Sequence, residues 1–308
     1  MNKFKGHIAL IGANIIWGLY APLCKDLLNA QIIPPMVLAG IKTAGAALLF
    51  WVLWAVFKLV YPSHAKSTER IEREDYPKIV LSSMMIIAAN QIFITLGLQY
   101  ASPVDGTVLC GITPFFTLIL GAVFMKQRAG WIKGVGAALG FSGMLLFLFG
   151  SEVNTEMHVS NPLLGDTLFV LSQVCGAVYL VFSGNILGKY SPFTLMKWMF
   201  LISAISMIPL YVPELLMLDF AWLYAEMSAA MWIELGYIIV FATFLAFLLL
   251  PVGQKHVSPT TVAMYNYLQP VVTAIYAVMF GLAQLNMHTI IATALIFIGV
   301  WIVNREKQ

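Results

Sequence analysis

Apolar runs of about 20 residues recur along the chain, separated by short polar connections, and each is long enough to cross a bilayer core as a helix. The pattern predicts helices at 7–25, 34–58, 77–98, 103–125, 131–149, 162–183, 191–211, 231–251, 258–280 and 287–303. Two connections are longer. One is the mixed-charge stretch from Tyr61 to Tyr76; the other runs from Val212 to Ala230, where Trp222 and Tyr224 suit the membrane interface. The expected fold is all-α and integral to the membrane, with ten transmembrane helices.

Composition removes the soluble alternative. Charged residues are 10% of the 308 positions and hydrophobic ones 60%, whereas a soluble domain needs about 25% charged residues to solvate its surface. The apolar run behind Lys3 and Lys5 reads as the first span rather than a signal peptide. Asn14 and the pair Trp17-Gly18 interrupt it, and no small-x-small cleavage site follows. Cys24, Cys110 and Cys175 form no CxxC pair and no metal-ligand spacing, so they read as packing residues. No basic patch with interleaved aromatics points to nucleic acid, and neither a metal nor a cofactor is expected.

The placement of charge sets an orientation. With the N-terminus in the cytoplasm, all of the 17 lysines and arginines except Lys25, Lys42 and Lys197 fall on the inner side. Outer connections carry Glu152, Glu156, Glu214, Asp219 and Glu226 instead. Both termini are therefore expected in the cytoplasm, with the chain in the plasma membrane (the inner membrane of a bacterium).

The sequence also repeats itself. At an offset of 156 residues, Ser102-Pro103 matches Ser258-Pro259, and Pro114 matches Pro270. Thr117, Ile119 and Phe124 match Thr273, Ile275 and Phe280; Ala138-Leu139, Phe141 and Gly143 match Ala294-Leu295, Phe297 and Gly299. A weaker match at 159 pairs Gly6 with Gly165 and Tyr20 with Tyr179. Residues 1–150 and 151–308 then form two units of five helices. Five is odd, so the second unit enters from the opposite side, giving a 5+5 inverted-topology repeat of the kind that places a transporter's substrate site near the midplane.

These features together resemble the drug/metabolite transporter superfamily, and within it the EamA-type ten-helix permeases. The resemblance covers essentially the whole chain. Its parts are Trp17-Gly18 in helix 1, Ser102-Pro103 to Pro114 in helix 4, Gly143 in helix 5, Gly165-Asp166 opening the second unit, and Ser258-Pro259 to Pro270 with Gly299. The chain departs from the family at Gln127 and at Ala283-Gln284, where Glu is frequent. The resemblance implies transport of a small-molecule substrate, often export of amino acids or other metabolites.

The candidate substrate-binding residues are polar or aromatic groups inside apolar helices. Asn14, Trp17 and Gly18 share one face of helix 1, with Tyr20 one turn on; Gln91 and Thr95 share a face of helix 3 beside Asn90. Tyr265, Asn266 and Gln269 cluster in helix 9, and Tyr179 and Gln173 in helix 6 are the counterparts of Tyr20 and Asn14. Any one of them serves equally as an interhelical hydrogen-bond partner. Lys42 lies about eight residues, or about 12 Å, into helix 2. It stays open to two readings, a partner for a substrate carboxylate or a snorkelling or structural cation. Pro114 and Pro270 each free a carbonyl, of Cys110 and Asn266, which makes them candidate gating or kink positions as well as simple packing kinks. Ser102-Pro103-Val104-Asp105 and Ser258-Pro259 read as capped helix starts.

Two rival classes remain. A receptor or assembly subunit would not move solute. An intramembrane enzyme has one supporting match, Gly140-Phe141-Ser142-Gly143, but the second unit carries Phe297-Ile298-Gly299 there, without the serine. No HExxH or P-loop occurs, and no Asp or Glu lies deep in an expected helix. A facilitator worked by rocking of the two halves is the expected mechanism; the oligomeric state is left open.

Overall fold

The computed structural model describes residues 2–60, 71–101, 103, 106, 109–125, 130–150, 161–280 and 287–305. Among them the regular elements are helices, without strands. They are α1 (Asn2–Asn29), α2 (Pro35–Val60), α3 (Arg73–Tyr100), α4 (Cys110–Met125), α5 (Trp131–Gly150), α6 (Pro162–Phe182), α7 (Pro192–Leu216), α8 (Ala229–Gln254), α9 (259–279) and α10 (Met287–Arg305). Short helices Gly184–Lys189 and Phe220–Glu226 lie in the connections. Among the described residues six helices, α1, α2, α3, α6, α7 and α8, are long and apolar enough to cross a membrane by length and composition. The chain is an integral membrane protein. Ser102, Asp105, Gln127, Ala283 and Gln284 lie outside the described residues.

Local chemistry explains the starts. Asn161, Ser191 and Ser258 each accept from the backbone N–H three residues on, at 3.1–3.3 Å, and each is followed by proline. Proline at the first helical position lacks the N–H that would otherwise go unpaired. The chain from Val212 to Ala230 is more helical than expected: α7 continues to Leu216, and Asp219 caps the helix carrying the exposed Trp222 and Tyr224.

Outward faces are apolar. Leu59, Trp131 and Met217 are each more than three-quarters exposed, an arrangement that suits acyl chains and would aggregate in water. Inward, α1 packs against α8 and α9, while α6 packs against α3 and α4; α2 pairs with α7, and α5 with α10. These approaches are close. A Cβ on Gly97 of α3 would lie 3.2 Å from the Gly165 carbonyl of α6, and one on Gly253 of α8 would lie 3.1 Å from the Gly6 carbonyl of α1.

Besides the 3₁₀ turn Arg73–Asp75 that opens α3, four stretches depart from α-geometry among the described residues. Met84–Ala89 in α3 and Ile238–Leu245 in α8 are π-helical, while Cys110–Ile112 at the start of α4 and Tyr265–Tyr267 in α9 are 3₁₀ turns. Each of the latter two 3₁₀ turns lies just ahead of a proline, Pro114 or Pro270, whose missing N–H weakens the α-ladder there.

Candidate functional site

A cavity of about 100 Å³ opens among α1, α3, α4, α6, α8 and α9. The two π-helical stretches and the 3₁₀ turns of α4 and α9 border it, through Ile86, Ala242, Cys110 and Asn266. That is where polar backbone can stay inside a membrane, because it faces a cavity rather than lipid. No charged side chain lines the cavity among the described residues. Its polar wall consists of carboxamides and hydroxyls, and its apolar wall includes Phe169, Phe247, Leu180 and Leu250.

Of the residues expected at the site, Trp17, Tyr20, Asn90, Gln91, Asn266 and Gln269 line the cavity. The Trp17 indole donates to the Ala242 carbonyl (2.9 Å) in the π-helical part of α8, so its ring is fixed against the cavity. Asn90 donates to the Ser172 carbonyl of α6 (2.8 Å). Four expected residues stand back from the wall. Asn14 accepts from Gln269 Nε2 (2.9 Å), which screens it. Lys42 is fully buried behind Tyr20, donating to the phenol oxygen (2.5 Å) and to Thr95 Oγ1 (2.7 Å). Tyr179 is buried in the core beside the cavity. The Tyr265 hydroxyl meets His7 Nδ1 at 2.6 Å, away from the cavity. Pro114 and Pro270 are buried but do not line it; their 3₁₀ turns do.

The sequence did not single out Thr113, and it named Gln173 only as a counterpart of Asn14; both line the cavity. Thr113 Oγ1 lies 2.7 Å from Gln173 Oε1 and also caps the Cys110 carbonyl freed by Pro114 (2.7 Å). Asn266 Nδ2 donates to Thr113 Oγ1 (3.2 Å), and Gln173 Nε2 donates to Ser172 Oγ (2.8 Å). An uncharged chain of hydrogen bonds thus runs from Asn14 on α1 through Gln269 and Asn266 on α9 and Thr113 on α4 to Gln173 on α6. The repeat carried the missing signal, since position 113 aligns with 269 at the offset of 156.

Ser142 is exposed and donates to the Leu139 carbonyl of its own helix (2.8 Å). It stands apart from the cavity, with no activating base in its hydrogen bonding.

A polar cluster lies at the end of the bundle carrying the α6–α7 connection. Asp75, 2% exposed, receives Lys189 Nζ (2.9 Å), the Tyr190 hydroxyl (3.0 Å) and Lys78 Nζ (3.3 Å). Asp75 and then Glu72 hold the Lys189 ammonium above the usual lysine range. Lys255 donates to the Tyr190 carbonyl (2.7 Å), and burial pushes its own pKa down.

The profile of the EamA-like transporter family matches residues 4–149 and 163–305. An uncharacterized transporter of Archaeoglobus fulgidus is 24% identical over 98% of this chain and 100% of its own length. The uncharacterized transporter YyaM of Bacillus subtilis is 24% identical over 97% of this chain and 93% of its own. An S-adenosylmethionine uptake transporter of Rickettsia bellii is 27% identical over 59% of this chain and 57% of its own. A solved crystal structure superposes with a TM-score of 0.74 at 17% identity, covering 99% of this chain and 100% of that one, a likeness that speaks for the fold.

Proposed function

We propose, from the premise that this chain belongs to the EamA-like transporter family, that it carries a small amphipathic organic metabolite, an amino acid or a relative of one, through the central cavity by alternating access. The cavity is the observation that carries the reading: it combines carboxamides with aromatic and aliphatic walls and draws three helices from each half of the chain. Such a wall suits a solute with a hydrogen-bonding head and an apolar body. The relative named as an S-adenosylmethionine uptake transporter is in keeping with an amino-acid-bearing solute. Family and relatives bear transporter names, so a receptor or an enzyme has no comparable support.

Several features support two inverted units of five helices, 1–150 and 151–308. The family profile matches in two segments of similar length. Exchanging α1–α5 for α6–α10 leaves the packing pairs unchanged: α1 with α8 becomes α6 with α3, and α1 with α9 becomes α6 with α4. The π-helical stretches of α3 and α8 correspond under the same exchange, as do the 3₁₀ turns of α4 and α9. The moving bodies are then mixed bundles, α1–α8–α9 against α3–α4–α6, rather than the sequence halves. Ten spans put both termini on one side, and basic-residue placement makes that side the cytoplasm of a plasma membrane.

Solute flux into proteoliposomes across a panel of amino acids, sugars and nucleosides tests this. Flux of at least one solute down its gradient is expected; a protein that is folded and oriented yet moves none would sink the reading. Uphill uptake driven by a pH gradient alone would replace a facilitator with a proton-coupled carrier.

A further inference from the structure

Lys42 has no exposed surface, and its ammonium donates only to the uncharged oxygens of Tyr20 and Thr95. Among the described residues the carboxylate ion pairs belong to Lys78 and Lys189, and none reaches Lys42. A cation in a low-dielectric interior without a counter-charge is costly, and a membrane helix that keeps one places it beside a partner or a cavity. Here the cavity begins one side chain away, at Tyr20.

Gln91 completes the corner. It sits one turn before Thr95, whose hydroxyl donates to the Gln91 backbone carbonyl (2.7 Å). Its side chain lines the cavity, is 6% exposed, and its carboxamide meets no hydrogen-bond partner among the described residues. A carboxamide that lines a cavity with its bonding capacity unused by the protein marks a place where something else bonds. The Tyr20 phenol accepts from an ammonium, and such polarisation makes its own O–H a stronger donor.

We infer that Tyr20 and Gln91 form a carboxylate subsite of the cavity, with Lys42 behind Tyr20 supplying the compensating charge. This rests on the cavity being the transport site. The carboxylate accepts from the Tyr20 hydroxyl and the Gln91 amide, and it never touches Lys42, which acts as a positioning and electrostatic residue. Tyr20 and Gln91 both line the cavity; two donors match the two oxygens of a carboxylate, and one cation matches its single charge.

Matched pairs of probes test it: L-leucine against L-leucinamide, 4-methylpentanoate against 4-methylpentanamide, and benzoate against benzamide. Each is assayed by thermal stabilisation of the purified full chain and by flux in proteoliposomes. In at least one pair the carboxylate is expected to bind and move well and the carboxamide poorly. Tyr20→Phe should weaken carboxylate binding by about 10- to 100-fold, the loss of one hydrogen bond to a charged group. Gln91→Glu guards against misfolding as the cause. It installs the counter-charge inside the protein, so it should melt higher than the parent without solute and lose its response to carboxylates. Equal responses to both members of every pair, unchanged affinity in a folded Tyr20→Phe, or parental carboxylate binding by Gln91→Glu would each overturn the subsite. Movement of neutral members only removes the subsite and leaves the transport reading; movement of none removes both.

Discussion

Replacing Asn14 by leucine removes two hydrogen bonds from a position that is 1% exposed: Nδ2 to the Leu10 carbonyl (2.8 Å) and Oδ1 from Gln269 Nε2 (2.9 Å). Gln269 Nε2 then keeps only a long contact to Asn266 Oδ1 (3.5 Å). A buried donor left in that condition costs about 1–3 kcal/mol. The pairwise part is smaller, because polar contacts between membrane helices average about 0.6 kcal/mol and reach about 1.7 kcal/mol. A double-mutant cycle with Asn14→Leu, Gln269→Leu and the combination isolates that part. The second cycle is Gln173→Leu with Thr113→Val, across the 2.7 Å bond between α6 and α4. Offsets of 159 and 156 make Gln173 the counterpart of Asn14 and Gln269 that of Thr113. An inverted repeat therefore requires favourable coupling of the same sign in both cycles. Thermal unfolding in detergent, followed by a thiol-reactive dye on the buried Cys24, Cys110 and Cys175, supplies the free energies. Additive losses within about 0.3 kcal/mol in either cycle would refute the pairing. Couplings of opposite sign would refute the equivalence of the two units.

Other outcomes follow from single contacts. Lys25 is 1% exposed and caps the end of α3 by donating to the carbonyls of Leu98 (2.8 Å), Gln99 (3.3 Å) and Ala101 (3.1 Å). Lys25→Met should cost about 2–4 kcal/mol in the same melting assay. A Cβ on Gly299 of α10 would lie 2.6 Å from the Gly136 carbonyl and 2.7 Å from Gly140 N, backbone atoms that cannot swing aside. Gly299→Ala should therefore lower stability by about 1–3 kcal/mol, while Gly134→Ala, with open space around it, should lose nothing. Lys189 has its folded pKa raised by Asp75 and Glu72. Its contribution is thus fully present below the unfolded value of about 10.4 and lost only as pH climbs through the higher folded value. The stability difference between the parent and Lys189→Met should accordingly stay flat from about pH 6 to 9; a difference that fades in that window would break the assignment. Joining Lys25→Cys to Ala101→Cys with a short bifunctional thiol reagent should stop flux and spare solute binding, because it fastens α1 to α3.

Local signals were easy to read in this sequence, and tertiary ones were not. Ser258-Pro259 announces its helix because capping and a fixed φ act over four residues, and Asn161-Pro162 and Ser191-Pro192, not singled out in the sequence, cap theirs in the same way. The 3₁₀ turns were half visible, since Pro114 and Pro270 follow them. The π-helical stretches Met84–Ala89 and Ile238–Leu245 contain neither Pro nor Gly and gave no sign. Thr243 donating to the Ile238 carbonyl five residues back is a product of the stretch, not a signal for it. At the site, helical spacing grouped the right residues but could not set the rotation of each helix. Tyr265 and Asn266 are adjacent, and the 3₁₀ turn sends one to His7 and the other to the cavity. Asn14 shares a face with Trp17, yet Gln269 from another helix covers it.

The same contacts constrain how the cavity could open. If α1–α8–α9 rocks against α3–α4–α6, polar contacts within one bundle, such as His7–Tyr265, travel with it unchanged. The contacts that must alternate are those crossing between bundles. At one end these are the three carbonyls of α3 held by Lys25. At the other, Gln254 of α8 donates to the Leu180 carbonyl (3.1 Å) and Ser183 Oγ (2.7 Å), and Lys255 reaches the Tyr190 carbonyl. Each set joins helix ends, where carbonyls lack intrahelical partners and water can replace a lost donor when the end opens. Breaking either set is therefore far cheaper than breaking a bond at mid-membrane, where no water waits. At the centre Asn266–Thr113 crosses between the bundles, at 3.2 Å between two groups that both line the cavity. A solute with its own donors and acceptors can substitute for that bond as the bundles part, so the polar wall serves the moving parts as well as the cargo.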